Sequence, residues 1–232
     1  KFSYADDGRS EIILDAASNV YVAASTKSSN FPTSPGAYDG ALSGIQDGCV
    51  FKLNSNLSSL VFSTYLGGSN YDAAYGLKLD NSTGNLYVTG GTSSSNFPTT
   101  VGVIHPTFQG GTTDGFIAAL NSTGTALSMS TFLGTSAEDQ SYFLEIDASN
   151  NIYVFGLTRG VYPTTPGVYK NTNSAQFIHK LNGSLTTTIF STVIGTGSLN
   201  PNISPTAFLV DSCESIYIAG WGRCSQFQNP NS

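Results

Sequence analysis

Three aspartates, Asp7, Asp72 and Asp139, recur 14 or 15 residues ahead of the tyrosines Tyr21, Tyr87 and Tyr153. Carboxylates spaced this way could ring one mouth of a repetitive fold and attract cations. A second acidic set, Asp15, Asp80, Asp147 and Asp211, precedes turn residues, where an aspartate bonds backbone amides. Because both sets recur, scaffold roles outweigh chemical ones. His105 and His179 are the only histidines. His179 takes the place of Phe51 and Ala118 in the other repeats, which points to a strand surface rather than a base. Adjacent acids such as Glu138 and Asp139 point to opposite faces of a strand, so they do not face each other across a cleft as glycoside hydrolysis requires. With no Gly-x-Ser-x-Gly elbow and no nucleophile beside a histidine and an acid, no catalytic residue is nominated. The acidic loops lack any calcium-loop register, so no metal and no cofactor is expected.

Residues that do not recur are the better binding candidates. Trp221 and Arg223 follow the last repeat marker where other repeats carry Ser and Thr, and Trp and Arg are enriched at binding hot spots. They equally suit the junction to a following domain. Cys213 and Cys224 could pair across a loop, leaving Cys49 single; unpaired thiols are the other reading.

The elements that hold these residues follow from internal repetition. Asn-Val-Tyr-Val at 19–22 returns at 85–88, 151–154 and 215–218, with tyrosines at 21, 87, 153 and 217. Pro32, Pro98 and Pro163 keep the same period, as do Leu53-Asn54, Leu120-Asn121 and Leu181-Asn182. Ser63-Thr64, Ser130-Thr131 and Ser191-Thr192 form a fourth marker in the same order. Each unit reads as four short strands, with Asn/Asp/Ser/Gly turns at two of the connections. The run Leu86 to Gly90 is apolar without alternation, which suits a strand covered on both faces. The expected fold is all-β: a β-propeller of four-stranded antiparallel blades, about three and a half of them. The units fall near 1–66, 67–133, 134–195 and 196–232, the last incomplete, and a parallel β-helix is the structural runner-up. The chain starts and stops inside a repeat, so it is expected to be an ordered piece of a larger propeller.

Charged residues make up only 10% of the chain and the net charge is −6, which argues against nucleic acid and anionic membranes as partners. No stretch approaches the ~20 apolar residues of a membrane span. Aromatics at 12% exclude a disordered low-complexity chain.

The segments Asn85-Leu86-Tyr87-Val88-Thr89-Gly90, Asn96-Phe97-Pro98-Thr99-Thr100, Asp114 to Asn121, and Ser130-Thr131-Phe132-Leu133-Gly134 closely resemble the bacterial propeller repeat often called the SBBP repeat. The last unit, with Phe208 to Cys213 and Ile218 to Gly222, resembles a variant found in large surface proteins of Bacteroidetes. That resemblance implies a secreted, cell-surface protein of a Gram-negative bacterium, exported by the type IX route and tied to adhesion or gliding motility. The partners it implies are other domains of the same large protein, the type IX secretion machinery, and surface glycans or proteins. A non-enzymatic binding or spacer module is the leading expectation. A lectin-type propeller is the alternative and a hydrolase comes third. A lectin would show repeated aromatic and polar pockets, whereas Tyr21, Tyr87, Tyr153 and Tyr217 sit in apolar runs and are expected to be buried.

Overall fold

A computed structural model describes residues 10–222. Among them there is no helix, and fourteen strands form four antiparallel sheets. The first sheet holds β1 (Glu11–Leu14), β2 (Val20–Thr26), β3 (Asp47–Leu53) and β4 (Leu60–Leu66). The second holds β5 (Asp72–Leu79), β6 (Leu86–Thr92), β7 (Asp114–Leu120) and β8 (Leu127–Leu133). The third holds β9 (Asp139–Ile146), β10 (Ile152–Thr158), β11 (Gln176–Leu181) and β12 (Thr188–Ile194). The fourth contains β13 (Ile203–Val210) and β14 (Ile216–Gly222). Strands in every sheet pair in chain order, so each sheet is a simple meander.

The recurring aspartates after the first strands build the tight turns. Asp147 Oδ1 accepts from the amides of Ser149 and Asn151, both at 2.9 Å, while Asn150 adopts φ 61°. Asp15 does the same for Ala17 and Asn19, and Asp211 for Cys213 and Ser215. A short side chain that bonds the backbone two and four residues on favours this reversal.

The sheets stack face to face, and three apolar seams hold them. Ile13, Tyr21, Ala23, Val50 and Phe62 of the first sheet meet Leu77, Leu86, Val88, Phe116 and Phe132 of the second. Tyr87, Ile117 and Leu133 continue against Leu144, Ile152, Val154 and Phe177 of the third. Tyr153, Phe155 and Ile178 then meet Phe208 of the fourth. Each fully buried Phe or Leu in such a seam contributes about 1.5–3 kcal/mol of transfer free energy. The strands β6 and β10 are buried along their whole length, as a strand sandwiched between two sheets must be.

The first strands of all four sheets converge on one cavity of about 400 Å³. Glu11, Tyr75, Tyr142 and Pro205 line it. Around it Ala73, Tyr75, Tyr142 and Leu157 form a further apolar cluster, in which Tyr75 and Tyr142 lie 5.8 Å apart.

The long connections between second and third strands are tied to their own sheets by backbone hydrogen bonds. Ser34 donates its amide to the Ser63 carbonyl, Thr100 to Ser130 and Thr165 to Ser191, at 3.0–3.1 Å. Each connection thus folds back along the outermost strand of its own sheet. The physical reason is the edge: an outer strand carries unpaired backbone groups, and covering them removes a template for aggregation.

Candidate functional site

Two places gather the residues with chemical potential: the rims of the seams, where the recurring acids lie, and the open end of the fourth sheet.

At the rim between the first and second sheets, Asp72 is completely buried. Its carboxylate accepts from the hydroxyl of Thr92, from Ser94 Oγ at 2.7 Å and from the Gly68 amide at 2.7 Å. Asp47, also fully buried, lies beside it and accepts from the Ser43 amide at 2.8 Å. The next rim repeats the arrangement with Asp114 and Asp139. Asp139 Oδ2 accepts from the Thr135 amide at 2.6 Å and its hydroxyl at 2.8 Å, and Asp114 accepts from the Gln109 amide. Both carboxyls close over Gly134, whose Cα has no room for a side chain there. A Cβ on it would stand 2.3 Å from Asp114 Oδ1 and 3.2 Å from Asp139 Oδ2.

Burial raises the pKa values of these acids. Asp114 is pushed to about 7 and Asp139 to about 6, in both cases chiefly by desolvation, with the Asp139 charge adding to the shift of Asp114. Desolvation likewise lifts Asp47 to about 6, with Asp72 contributing repulsion. At the third rim Gln176 takes the place of Asp47 and Asp114: a Cβ on Gly195 would lie 3.1 Å from its Oε1 and equally far from Oδ1 of Asn202. An amide fills the place of a carboxylic acid without titrating, which marks the neutral form as the one the rim favours.

Asp72 and Asp139 are therefore enclosed and occupied with closing loops, not presented at an open mouth. Asp7 lies outside the described residues. The acids Asp47 and Asp114, their partners across the seams, were passed over in the sequence. The signal that finds them is Asp-Gly at the start of a third strand, at 47–48 and again at 114–115.

A second recurring device sits deeper in the seams. Tyr21 faces Lys52 across the strand pair and Tyr153 faces Lys180. In each case the ammonium lies 4.6 Å from the ring centroid. Lys52 pairs with Asp15 at 3.3 Å, and Lys180 with Asp147 at 2.9 Å. Lys180 also reaches Glu214 of the fourth sheet at 2.8 Å. Burial alone lowers the Lys180 pKa, but its bonds to Glu214, Tyr153 and Asp147 outweigh that and raise it well above the usual lysine range. Asp15 shows the reverse: burial works against its charge, yet Asn19 and Lys52 hold it down at about 2.

His179 is buried inside the seam between second and third sheets, not on a strand surface. Its Nδ1 lies 3.0 Å from Tyr162 Oη and its Nε2 2.8 Å from Thr188 Oγ1. Desolvation lowers its pKa to about 3, so it stays neutral and bonds at both nitrogens.

The fourth sheet ends in an apolar surface. Leu209, Tyr217 and Trp221 are exposed, although Tyr21, Tyr87 and Tyr153 at the position of Tyr217 are buried. A cavity of about 1220 Å³ opens beside it, lined by Ile194, Gly195, Ile203, Ile218, Gly220 and Trp221 among others. Arg223 and Cys224 lie outside the described residues; Cys213 is exposed on the β13–β14 turn. Cys49 is buried, and desolvation raises its thiol to about 12. Among the described residues no three His, Cys, Asp or Glu side chains are grouped as a metal site, and no helix is long and apolar enough to cross a membrane.

No protein-family model matches the chain, and no curated protein matches it.

Proposed function

We propose that the four sheets are blades of a β-propeller and that the chain is a non-enzymatic binding or spacer module of a large secreted cell-surface protein. The observation that carries this reading is the shared central cavity. Four consecutive meanders direct their first strands, through Glu11, Tyr75, Tyr142 and Pro205, toward one point, as blades do around an axis.

The non-enzymatic reading is supported by what the reactive groups are doing. The rim carboxyls close loops, His179 is neutral and bonded at both ring nitrogens, and Lys180 ties the third sheet to the fourth. Repeated exposed aromatics are what a lectin would present; burial of Tyr21, Tyr87 and Tyr153 supports the spacer over that alternative. The resemblance of the repeat motifs to Bacteroidetes surface proteins supports display on a Gram-negative cell surface, type IX export and a part in adhesion or gliding. Partners on this reading are neighbouring domains of the same protein and surface proteins or glycans.

An antibody raised against the recombinant chain tests this. Labelling of intact source cells supports display, whereas labelling only after lysis sinks it. Glycan-array binding by the recombinant chain would transfer the assignment to the lectin reading.

A further inference from the structure

The rim between second and third sheets closes backbone against backbone. The connection from β6 to β7 brings Gly110 and Gly111, at φ 132° and 69°, onto the connection from β8 to β9. A Cβ on Gly111 would stand 2.2 Å from the Ala137 carbonyl oxygen, and one on Gly110 3.1 Å from Ser136 Cα. Asp139 donates its amide to the Thr113 carbonyl at 2.9 Å, which ties the two connections directly. The connection after β10 leans on the same place, where the Arg159 amide donates to the Glu138 carbonyl at 2.8 Å.

Asp114 and Asp139 sit within this closure, and each holds one connection, through the Gln109 amide and the Thr135 amide respectively. Asp114 Oδ1 is buried without a hydrogen-bond partner and faces Gly134, which also adjoins Asp139 Oδ2. No lysine or arginine pairs with either carboxyl among the described residues. The other titratable groups that bear on the pair supply no counter-charge. Glu138 is taken up by Arg159 at 3.1 Å, and the buried Tyr162 phenol is bonded to the neutral His179. Two ionised carboxylates in so dry a space are relieved only by letting water in.

The third rim supplies the contrast. There Gln176 Nε2 donates to the Ile203 carbonyl at 3.1 Å and Asn171 Nδ2 to the Gly195 carbonyl at 2.8 Å. Neither amide titrates. We propose that the rim between second and third sheets is a pH-operated latch: a proton held by Asp114 and Asp139 keeps connections 109–113 and 134–138 closed, and its loss parts them at Gly134. Opening is local, because the apolar seam below, where Ile117 and Leu133 meet Leu144, does not titrate. It bares the starts of β7 and β9 to water while the third rim stays shut.

Hydrogen exchange of the whole chain, corrected for intrinsic rates and read by mass spectrometry at about pH 5 and about pH 8, tests the latch. Peptides covering 109–113 and 134–139 should lose about 10- to 100-fold in protection at the higher pH. Those covering 171–174 and 195–198 at the third rim should keep theirs within about 3-fold. Asp114→Asn should hold the second rim closed at both pH values. Asp139→Asn should do the same, and it serves if the first variant does not fold. Equal loss at the second and third rims would assign the change to general softening and overturn the inference. So would unchanged protection at 109–113 in the parent chain, or a loss that persists in the variants.

Discussion

Lys180 of the third sheet and Glu214 of the fourth form an ion pair at 2.8 Å, although the lysine is buried and the glutamate half exposed. Together with Asp147 at 2.9 Å and the Tyr153 ring, they make a polar clamp inside an otherwise apolar seam. Removing the lysine leaves the buried Asp147 carboxylate without its counter-charge. Lys180→Ala should therefore cost roughly 3 kcal/mol in urea denaturation. Hydrogen exchange should accelerate in β13 and β14 before it does in the first two sheets. Uniform acceleration across all four sheets would show that the clamp is not local.

The rim acids impose a pH dependence whose sign is fixed by their raised pKa values. Asp47, Asp114 and Asp139 keep their protons in the folded chain up to about pH 6–7, whereas the unfolded carboxyls lose them near the ordinary value of 3.8. Their contribution is complete below about pH 4 and is lost as pH rises through 6–7. His179 opposes this with one proton, since its lowered pKa favours folding as pH rises from about 3 to 6.5. Asp114→Asn isolates one site, with the amide standing in for the neutral acid as Gln176 does in the third sheet. The variant should match the parent near pH 4 and exceed it by up to about 4 kcal/mol at pH 8. A constant difference across that range would refute the assignment.

Backbone proximity makes a sharp prediction at Gly90. A Cβ there would stand 1.8 Å from the Ala73 carbonyl oxygen. Gly90→Ala should cost at least about 3 kcal/mol, because the backbone of the paired strand has to move. At Gly40 a Cβ meets nothing within 4 Å, so Gly40→Ala should change stability by less than about 0.5 kcal/mol. Thermal unfolding of the two variants side by side gives the comparison.

Thiol labelling should separate the cysteines by burial. Cys49, with its thiol at about 12 and no access to solvent, should resist maleimide in the native chain and react in denaturant. Mass spectrometry of the labelled peptides would read this. Labelling of native Cys49 at the rate of a surface thiol would show that the first sheet opens readily.

The repeat was legible in the sequence because each sheet solves the same packing problem, so Tyr21, Tyr87 and Tyr153 keep their spacing and their burial. The turn aspartates were legible for the same reason, since their partners lie two and four residues away. Contacts across seams were not. Asp114 meets Asp139 and Asp47 meets Asp72 only because successive sheets stack, and spacing along the chain holds no record of that distance. Tyr217 makes the point most directly. Its local sequence matches the buried tyrosines, but burial depends on whether a further sheet covers that face. His179 was misplaced on a surface because the position it shares with Phe51 and Ala118 faces a seam only in the assembled stack.

Every complete sheet is built from four consecutive strands, and its main packing is with the sheet before and the sheet after. Tension applied through the two ends of the chain therefore meets the sheets in series. The one least supported by neighbours gives way first, and each event releases on the order of 190 Å of slack. Such a chain lengthens in discrete steps under load, and the force at each step is set by one seam, not by the sum of all three.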